Sequence, residues 1–266
     1  MALTKGELYT IVTNKENKGK QGSLVAILEG TETKTINTVL DKIDQQKRNK
    51  VKEVTLDMAR NMEASVRKSF TNAQLVTDHF HVVKLVLDAL QHIRVKYRWE
   101  AIDEENKEIK KAKDVQVKYE PKVLSNGDTP KQLLARSRYL LYKLPDDWTS
   151  SQSRRAQLLF NLYPLLKKAY QISNQFRAIY RLKSLDMAKM RFMQWMEDVK
   201  ILAIEEFNSV LYSVKYHLDS ILNFFLNRST NASAESFNAK IKGFRAIQRG
   251  VTDNQFFLFR LEKLYA

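Results

Sequence analysis

A polar helix face near the C-terminus carries one carboxylate among cations. Within residues 230–242, Glu235, Asn238 and Lys242 recur at helical spacing on a face that is separate from the apolar stripe. Residues 229–231 are Ser, Thr and Asn, which are favoured helix N-caps, so Glu235 falls in or near the first turn. The helix dipole favours a negative charge there. Spacing alone therefore predicts a capped surface helix with an outward-facing carboxylate.

A second carboxylate follows a short apolar run. Asp57 comes directly after the strand-like segment Val51–Leu56. Ligand and catalytic groups of open α/β sheets collect at the carboxyl ends of strands, because side chains there face a crevice. Asp57 also precedes a helix predicted to begin at Ala59, so a capping role is the alternative.

A third candidate is an acid and a histidine three residues apart. Asp78 ends the strand-like run Ala73–Thr77, and His81 follows it. A carboxylate at this spacing can hold an imidazole in one tautomer, and burial would make that pairing necessary. We expect Asp78 and His81 to support a site, with phosphate contact or metal ligation as alternatives.

The elements that must position these residues alternate between strands and helices in the first 80 residues. This order predicts a hairpin followed by parallel strands with helical connections. The residues beyond are almost entirely helical in pattern up to Asn227, with a possible kink at Pro164. Aromatic residues there, such as Phe176 and Trp195, are predicted to form the core of this helical block rather than to stack on bases. The predicted elements are a hairpin at Glu7–Asn14 and Ser23–Glu29, a helix at Thr33–Gln46, a strand at Val51–Leu56, a helix at Ala59–Phe70 and a strand at Ala73–Thr77.

Composition predicts a globular protein with a polyanionic partner. The chain has 266 residues, is 44% apolar and carries a formal net charge of +15. Nucleic acid is the default partner for such a charge. The sequence has no apolar run of membrane-spanning length, and it has no cysteine that could form a disulfide or a thiolate metal site.

Three separate motifs, which occur along the chain in the family's order, resemble bacterial insertion-sequence transposases of the DDE type, which have a ribonuclease-H-like catalytic core. The most C-terminal motif is the run 230–242, followed by Gln248-Arg249-Gly250 and Phe256–Arg260. The resemblance implies that Glu235 is the last of three metal-binding carboxylates and that Asp57 is the second. Asp78 and His81 match the family's Asp-x-x-His element, and Asn238 is expected to support the site.

The resemblance also implies a fold and a domain division. We expect an α/β protein that is mostly helical overall: an incomplete ribonuclease-H-like mixed sheet, interrupted by a large all-α insertion. The expected division is residues 1–82 for the first part of the core, 83–228 for the insertion and 229–266 for the helices that complete the core. In the family, a strand with the first catalytic Asp precedes the segment that matches Lys5–Tyr9, so we expect this chain to be an N-terminally truncated form.

The implied function is metal-dependent phosphodiester cleavage and strand transfer at insertion-sequence ends, with activity expected to be lost in the truncated chain. Two Mg²⁺ or Mn²⁺ ions are expected in the intact enzyme, held in part by Asp57 and Glu235. The expected partners are transposon-end and target DNA and further copies of the protein, in the bacterial cytoplasm at the nucleoid and with no membrane partner. Two alternatives are a non-catalytic DNA-binding remnant that modulates the full-length transposase and a helical RNA-binding protein. The residues expected to contact DNA are Lys240, Lys242, Arg245 and Arg249.

Overall fold

The computed structural model describes residues 8–247 and 253–266, and its chain divides into two compact units. The first unit contains Met1–Phe80 and His217–Ala266, and the second contains His81–Tyr216. The division expected from the sequence assigned 83–228 to a helical insertion. Arg249 and the segment Lys5–Glu7 lie outside the described residues.

The first unit opens with the predicted hairpin. Strand β1 (Tyr9–Thr13) pairs antiparallel with strand β2 (Leu24–Glu29), from Tyr9 opposite Glu29 to Thr13 opposite Leu24. Both strands are rich in β-branched and apolar residues, which suit a half-buried pleated surface. The hairpin predicted from these runs is confirmed.

The predicted helix at Thr33–Gln46 is two helices in the structure. Helix α1 is Thr33–Leu40, and helix α2 is Gln45–Asn49. The Asp44 carboxylate accepts hydrogen bonds from the backbone N–H groups of Gln46 and Lys47, so it caps the start of α2. That cap ends the single-helix pattern that the apolar spacing predicted.

A parallel β-α-β unit follows, as the alternation predicted. Strand β3 (Glu53–Leu56), helix α3 (Arg60–Ser69) and strand β4 (Gln74–Thr77) form it. The two strands pair in parallel, from Glu53 opposite Gln74 to Leu56 opposite Thr77. Their carboxyl ends therefore lie at the same edge.

The strands of the described residues form two separate two-stranded sheets, β1–β2 and β3–β4, rather than one mixed sheet. The turn after β1 is linked to β3 by a side chain: Lys15 Nζ lies 2.7 Å from Glu53 Oε1 and 2.9 Å from Thr55 Oγ1. Burial acts to raise the pKa of Glu53, but hydrogen bonds from Lys15, Ser229 and Asn227 outweigh it and lower the pKa. The expected mixed sheet is thus present only as two separate pairs.

The C-terminal helices pack on these strands. Helix α10 (Leu218–Asn227) lies on β4, where Asn223 Nδ2 donates to the Leu75 carbonyl at 2.8 Å. Helices α11 (Ala232–Ile247) and α12 (Asn254–Tyr265) complete a core with the hairpin. The buried members of this core are Leu24, Phe237, Ile241, Phe257 and Leu261.

The second unit is helical throughout its described secondary structure. Its long helix α4 (His79–Asp114) starts with two residues of the first unit and ends in a charged stretch from Glu100 to Asp114. One helix ends at Leu162 and the next begins at Pro164, so the predicted kink is a break between two helices. Phe176 and Trp195 are buried core residues, as predicted, with ring centroids 4.6 Å apart. The remaining helices are α5 (Pro130–Arg136), α6 (Ser150–Leu162), α7 (Pro164–Ile179), α8 (Leu185–Leu202) and α9 (Asn208–Tyr216).

Candidate metal centre

The paired strands β3 and β4 bring two acidic residues to one edge. Asp57 follows Leu56, and Asp78 follows Thr77, which is the parallel partner of Leu56. The backbone N–H of Asp78 donates to the Leu56 carbonyl at 2.9 Å, so the pairing continues to this residue. Adjacent strands lie about 4.8 Å apart, which places the two backbone positions side by side.

Asp78 fixes the start of helix α11. Its side chain is only 3% exposed, and its Oδ1 accepts a hydrogen bond from the backbone N–H of Asn231 at 3.2 Å. The Asn231 carbonyl in turn accepts the Glu235 N–H at 2.9 Å, the first helical bond of α11. Glu235 therefore lies one helical turn beyond the contact with Asp78.

Asp78, His81 and Glu235 form a group that could hold a metal ion. Each offers one ligand atom, and these atoms all lie within 4.8 Å of one another. Asp78 is buried, His81 is half-buried and Glu235 is exposed, so the group opens toward solvent on its Glu235 side. His81 lies in the first turn of α4, three residues after Asp78, and this spacing alone keeps it near that carboxylate.

An amide oxygen on the same helix as Glu235 is a further candidate donor for a cation. Asn238 follows Glu235 by three residues on α11, which places both on neighbouring positions of one helix face. Its side-chain oxygen is buried and, among the described residues, accepts no hydrogen bond. A buried acceptor without a donor is costly, and a bound cation would satisfy it.

The donor chemistry indicates which ions would suit the group. Carboxylate and amide oxygens are ligands that Mg²⁺ and Mn²⁺ accept, whereas an imidazole is a ligand of transition metals. Two carboxylates, one imidazole and one amide oxygen therefore fit Mn²⁺ at least as well as Mg²⁺. Asp78, predicted as a supporting residue, is a member of the group that could hold an ion.

Asp57 is placed differently from the other predicted ligand. It is exposed, and its Oδ1 accepts the Ala59 N–H at 3.2 Å. Helix α3 begins one residue later, with Ala59 as its N-cap and no side-chain cap bond, so this bond is a local turn before the helix and not the helix cap weighed as the alternative. It is not a member of the Asp78–His81–Glu235 group. Its position at the same strand edge keeps it a candidate for a further ligand, which stays a prediction.

The basic residues near Glu235 have distinct surroundings. Lys240 Nζ donates to the Gly19 carbonyl at 3.3 Å, so it ties α11 to the hairpin turn. The Arg245 Nη2 group donates to Asn254 Oδ1 at 2.9 Å, and its guanidinium stacks over the Phe257 ring, 4.7 Å from the centroid. Lys242 is exposed, and Arg249 lies outside the described residues.

Sequence reasoning did not identify Asn231 as the link between Asp78 and Glu235. The contact is made by its backbone N–H group, which every residue except proline carries, so the residue type gave no signal. The Asp-x-x-His spacing singles out Asp78, and the N-cap pattern at 229–231 singles out Asn231. Neither pattern shows that these two residues are in contact.

The described residues contain no helix that is both long and apolar enough to cross a membrane. No solved structure matches the chain. The transposase for insertion sequence element IS1001 of Bordetella parapertussis is 22% identical over 265 residues, which cover 99% of this chain. The chain spans 59% of the length of that relative.

The sequence profile of DDE_Tnp_ISL3, a family described as transposase, matches residues 1–261. This match covers nearly the whole chain and includes all the residues of the candidate metal centre. The chain therefore belongs to the DDE_Tnp_ISL3 family of transposases.

Proposed function

We propose that this chain carries the metal-binding end of a DDE transposase site, which acts on phosphodiesters at insertion-sequence ends. The observation that carries the proposal is the approach of the Asp78, His81 and Glu235 ligand atoms to within 4.8 Å of one another. In this proposal Asp78 and Glu235 are carboxylate ligands, His81 is a ligand or orienting group, and Asp57 supplies a further carboxylate from the same strand edge. The fold is proposed to be ribonuclease-H-like, with the cytoplasmic bacterial nucleoid as its place of action.

The reaction would be displacement at phosphorus. A water molecule or a DNA 3′-hydroxyl attacks the phosphorus atom, the bond to the 3′-oxygen of the cleaved strand breaks, and that oxygen leaves with its electron pair. Bound Mg²⁺ or Mn²⁺, as a pair of ions, would activate the attacking oxygen and stabilise the leaving one. Exposed Lys242, on the helix that carries Glu235, would offset phosphate charge.

We also propose that strand transfer by this chain alone is weak. Within the described residues, β3 pairs only with β4, so the edge that carries Asp57 has no strand on its other side. Metal-assisted in-line displacement depends on fixed positions of the ligands, and a strand that is paired on one side only holds Asp57 less rigidly. The alternative proposal, a non-catalytic DNA-binding remnant, rests on the +15 net charge.

The proposal is tested by a strand-transfer assay. Its substrate is DNA from the ends of the insertion sequence that encodes the chain. The chain is incubated with labelled ends and Mn²⁺, with and without Glu235→Gln. We expect weak transfer by the original chain and its loss in Glu235→Gln, while Glu262→Gln, an exposed carboxylate on α12, leaves transfer unchanged. Equal transfer by the Glu235→Gln protein would reject the site. DNA binding without any transfer would favour the non-catalytic remnant.

A further inference from the structure

Helix α8 of the second unit has an exposed face opposite its buried one. Its buried face is formed by Ala188, Phe192, Trp195 and Val199, which join the core. On the other side, Met187, Met190 and Met193 are 43%, 52% and 53% exposed. Three exposed methionines on one helix are unusual for a solvated surface, because methionine side chains are flexible and suit adaptable contacts.

Charged residues flank Met193 in a symmetric order. Lys189 lies four residues before it and Glu197 four residues after it. Asp186 lies seven residues before it and Lys200 seven residues after it. Offsets of four and seven residues, about 6 and 10.5 Å along the axis, return close to the same helix face. Each charge therefore has its opposite at the same distance on the other side of Met193.

This face does not suit DNA, although the chain is strongly basic. The charges of Asp186, Lys189, Glu197 and Lys200 cancel, in a chain whose net charge is +15. A shallow groove on the same face is lined by Met190, Met193 and Met196 together with Asp186, Lys189 and Glu197. A neutral, partly apolar face with ordered charges fits a protein surface of matching order better than a phosphate backbone.

We propose that a second copy of this chain docks here, with its own α8 running antiparallel. A two-fold axis through Met193 places that residue against Met193 of the partner subunit. The same axis places Lys189 opposite Glu197 of the partner subunit and Asp186 opposite Lys200 of the partner subunit. A parallel arrangement in register would instead set each charge against its like, so the charge order selects the antiparallel one.

The contact is small, and the dimer is therefore weak. Helix α8 has 18 residues, which give it a length of about 27 Å. A single helix pair of that length belongs to the small, transient class of interfaces, so we expect a dissociation constant in the micromolar range. The intrahelical pair between Lys200 and Glu197, 2.5 Å apart, would join the two sets of partner contacts into one network.

Sedimentation equilibrium of the whole 266-residue chain tests this dimer, over roughly 1 to 100 µM to span that range. Lys189→Glu sets two carboxylates against each other at both symmetric contacts, and we expect it to raise the dissociation constant at least about tenfold. Glu197→Lys should have a similar effect. The double variant Lys189→Glu/Glu197→Lys restores opposite charges across the axis, and we expect its dissociation constant to return to within about threefold of the original.

Lys168→Glu is the matched control, because it makes the same charge change on the exposed side of α7. We expect it to leave the dimer unchanged, and circular dichroism checks that each variant keeps its helix content. A chain that stays monomeric over the whole range would overturn the proposal. So would a Lys189→Glu protein that dimerises as the original does, or a double variant that is no better than the single ones.

Discussion

The packing of α11, the helix that carries Glu235, predicts that one substitution in it will strongly lower the free energy of unfolding of the first unit. Ile241 is fully buried and packs in the core with Leu24, Phe237, Phe257 and Leu261. Ile241→Ala removes three carbon atoms from this core, a transfer loss of about 2.4 kcal/mol at about 0.8 kcal/mol per carbon. The cavity left behind adds to this, so we expect a total loss of about 3 to 4 kcal/mol in the free energy of unfolding.

The matched control is Ile247→Ala, the same change at the end of the same helix. Ile247 is 82% exposed, so its truncation removes little buried surface and should change stability by less than about 0.5 kcal/mol. The comparison separates the effect of burial from any effect of losing an isoleucine from α11.

Urea unfolding monitored by hydrogen exchange in peptides from α11 measures the stability of the first unit directly. The three tryptophans, Trp99, Trp148 and Trp195, all lie in the second unit, so their fluorescence follows that unit in the same samples. We expect Ile241→Ala to lower the protection of α11 peptides strongly and Ile247→Ala to leave it nearly unchanged. Equal protection in the two variants would refute the assignment of Ile241 to a packed core.

Three further predictions concern other parts of the chain. Asp128 is 1% exposed and binds Arg136 and Arg155, which both keep contact with solvent, so Asp128→Asn should lower the stability of the second unit by about 2 kcal/mol in urea unfolding followed by tryptophan fluorescence, whereas exposed Asp146→Asn should change it hardly at all. Burial lowers the pKa of His217, although Glu63, 3.0 Å away, acts to raise it. Because the unfolded chain therefore takes up the proton first as pH falls, the free energy of unfolding should decrease below about pH 6.5. His217→Gln should make that decrease smaller. DNA affinity should decrease with salt at a logarithmic slope of about −0.9 per phosphate contacted, and Lys242→Ala should make the slope shallower by about one contact; a salt-independent affinity would contradict both statements.

Local sequence pattern predicted the strands and their direction because each short run has its own periodicity. The β-branched runs around Ile11 and Ile27 marked the hairpin, and the alternation of strand and helix before Asp78 marked the parallel pair. The break between α1 and α2 was missed because it depends on a local cap, in which the Asp44 carboxylate competes with continued helix.

The composition of the candidate site was only partly predictable. Asp78 and His81 stood out by their spacing, and Glu235 by its position in a capped first turn. Their approach depends on one backbone contact between residues 153 positions apart, from Asn231 to Asp78, and no local pattern carries such information. The buried oxygen of Asn238 is likewise a consequence of tertiary packing, since its neighbours in sequence do not show whether a donor reaches it.

Manganese binding by Asp78→Asn tests the central claim most directly, because it needs no DNA and no turnover. Asparagine keeps the shape and an acceptor oxygen for the Asn231 N–H, so it removes the charge of one proposed ligand while retaining the contact that positions α11. The free Mn²⁺ signal in electron paramagnetic resonance gives the affinity of the original chain, of Asp78→Asn and of Asp103→Asn, an exposed carboxylate on α4. We predict that Asp78→Asn weakens Mn²⁺ binding at least about tenfold and that Asp103→Asn leaves it unchanged. Equal affinities in all three proteins would contradict a metal centre at Asp78, His81 and Glu235.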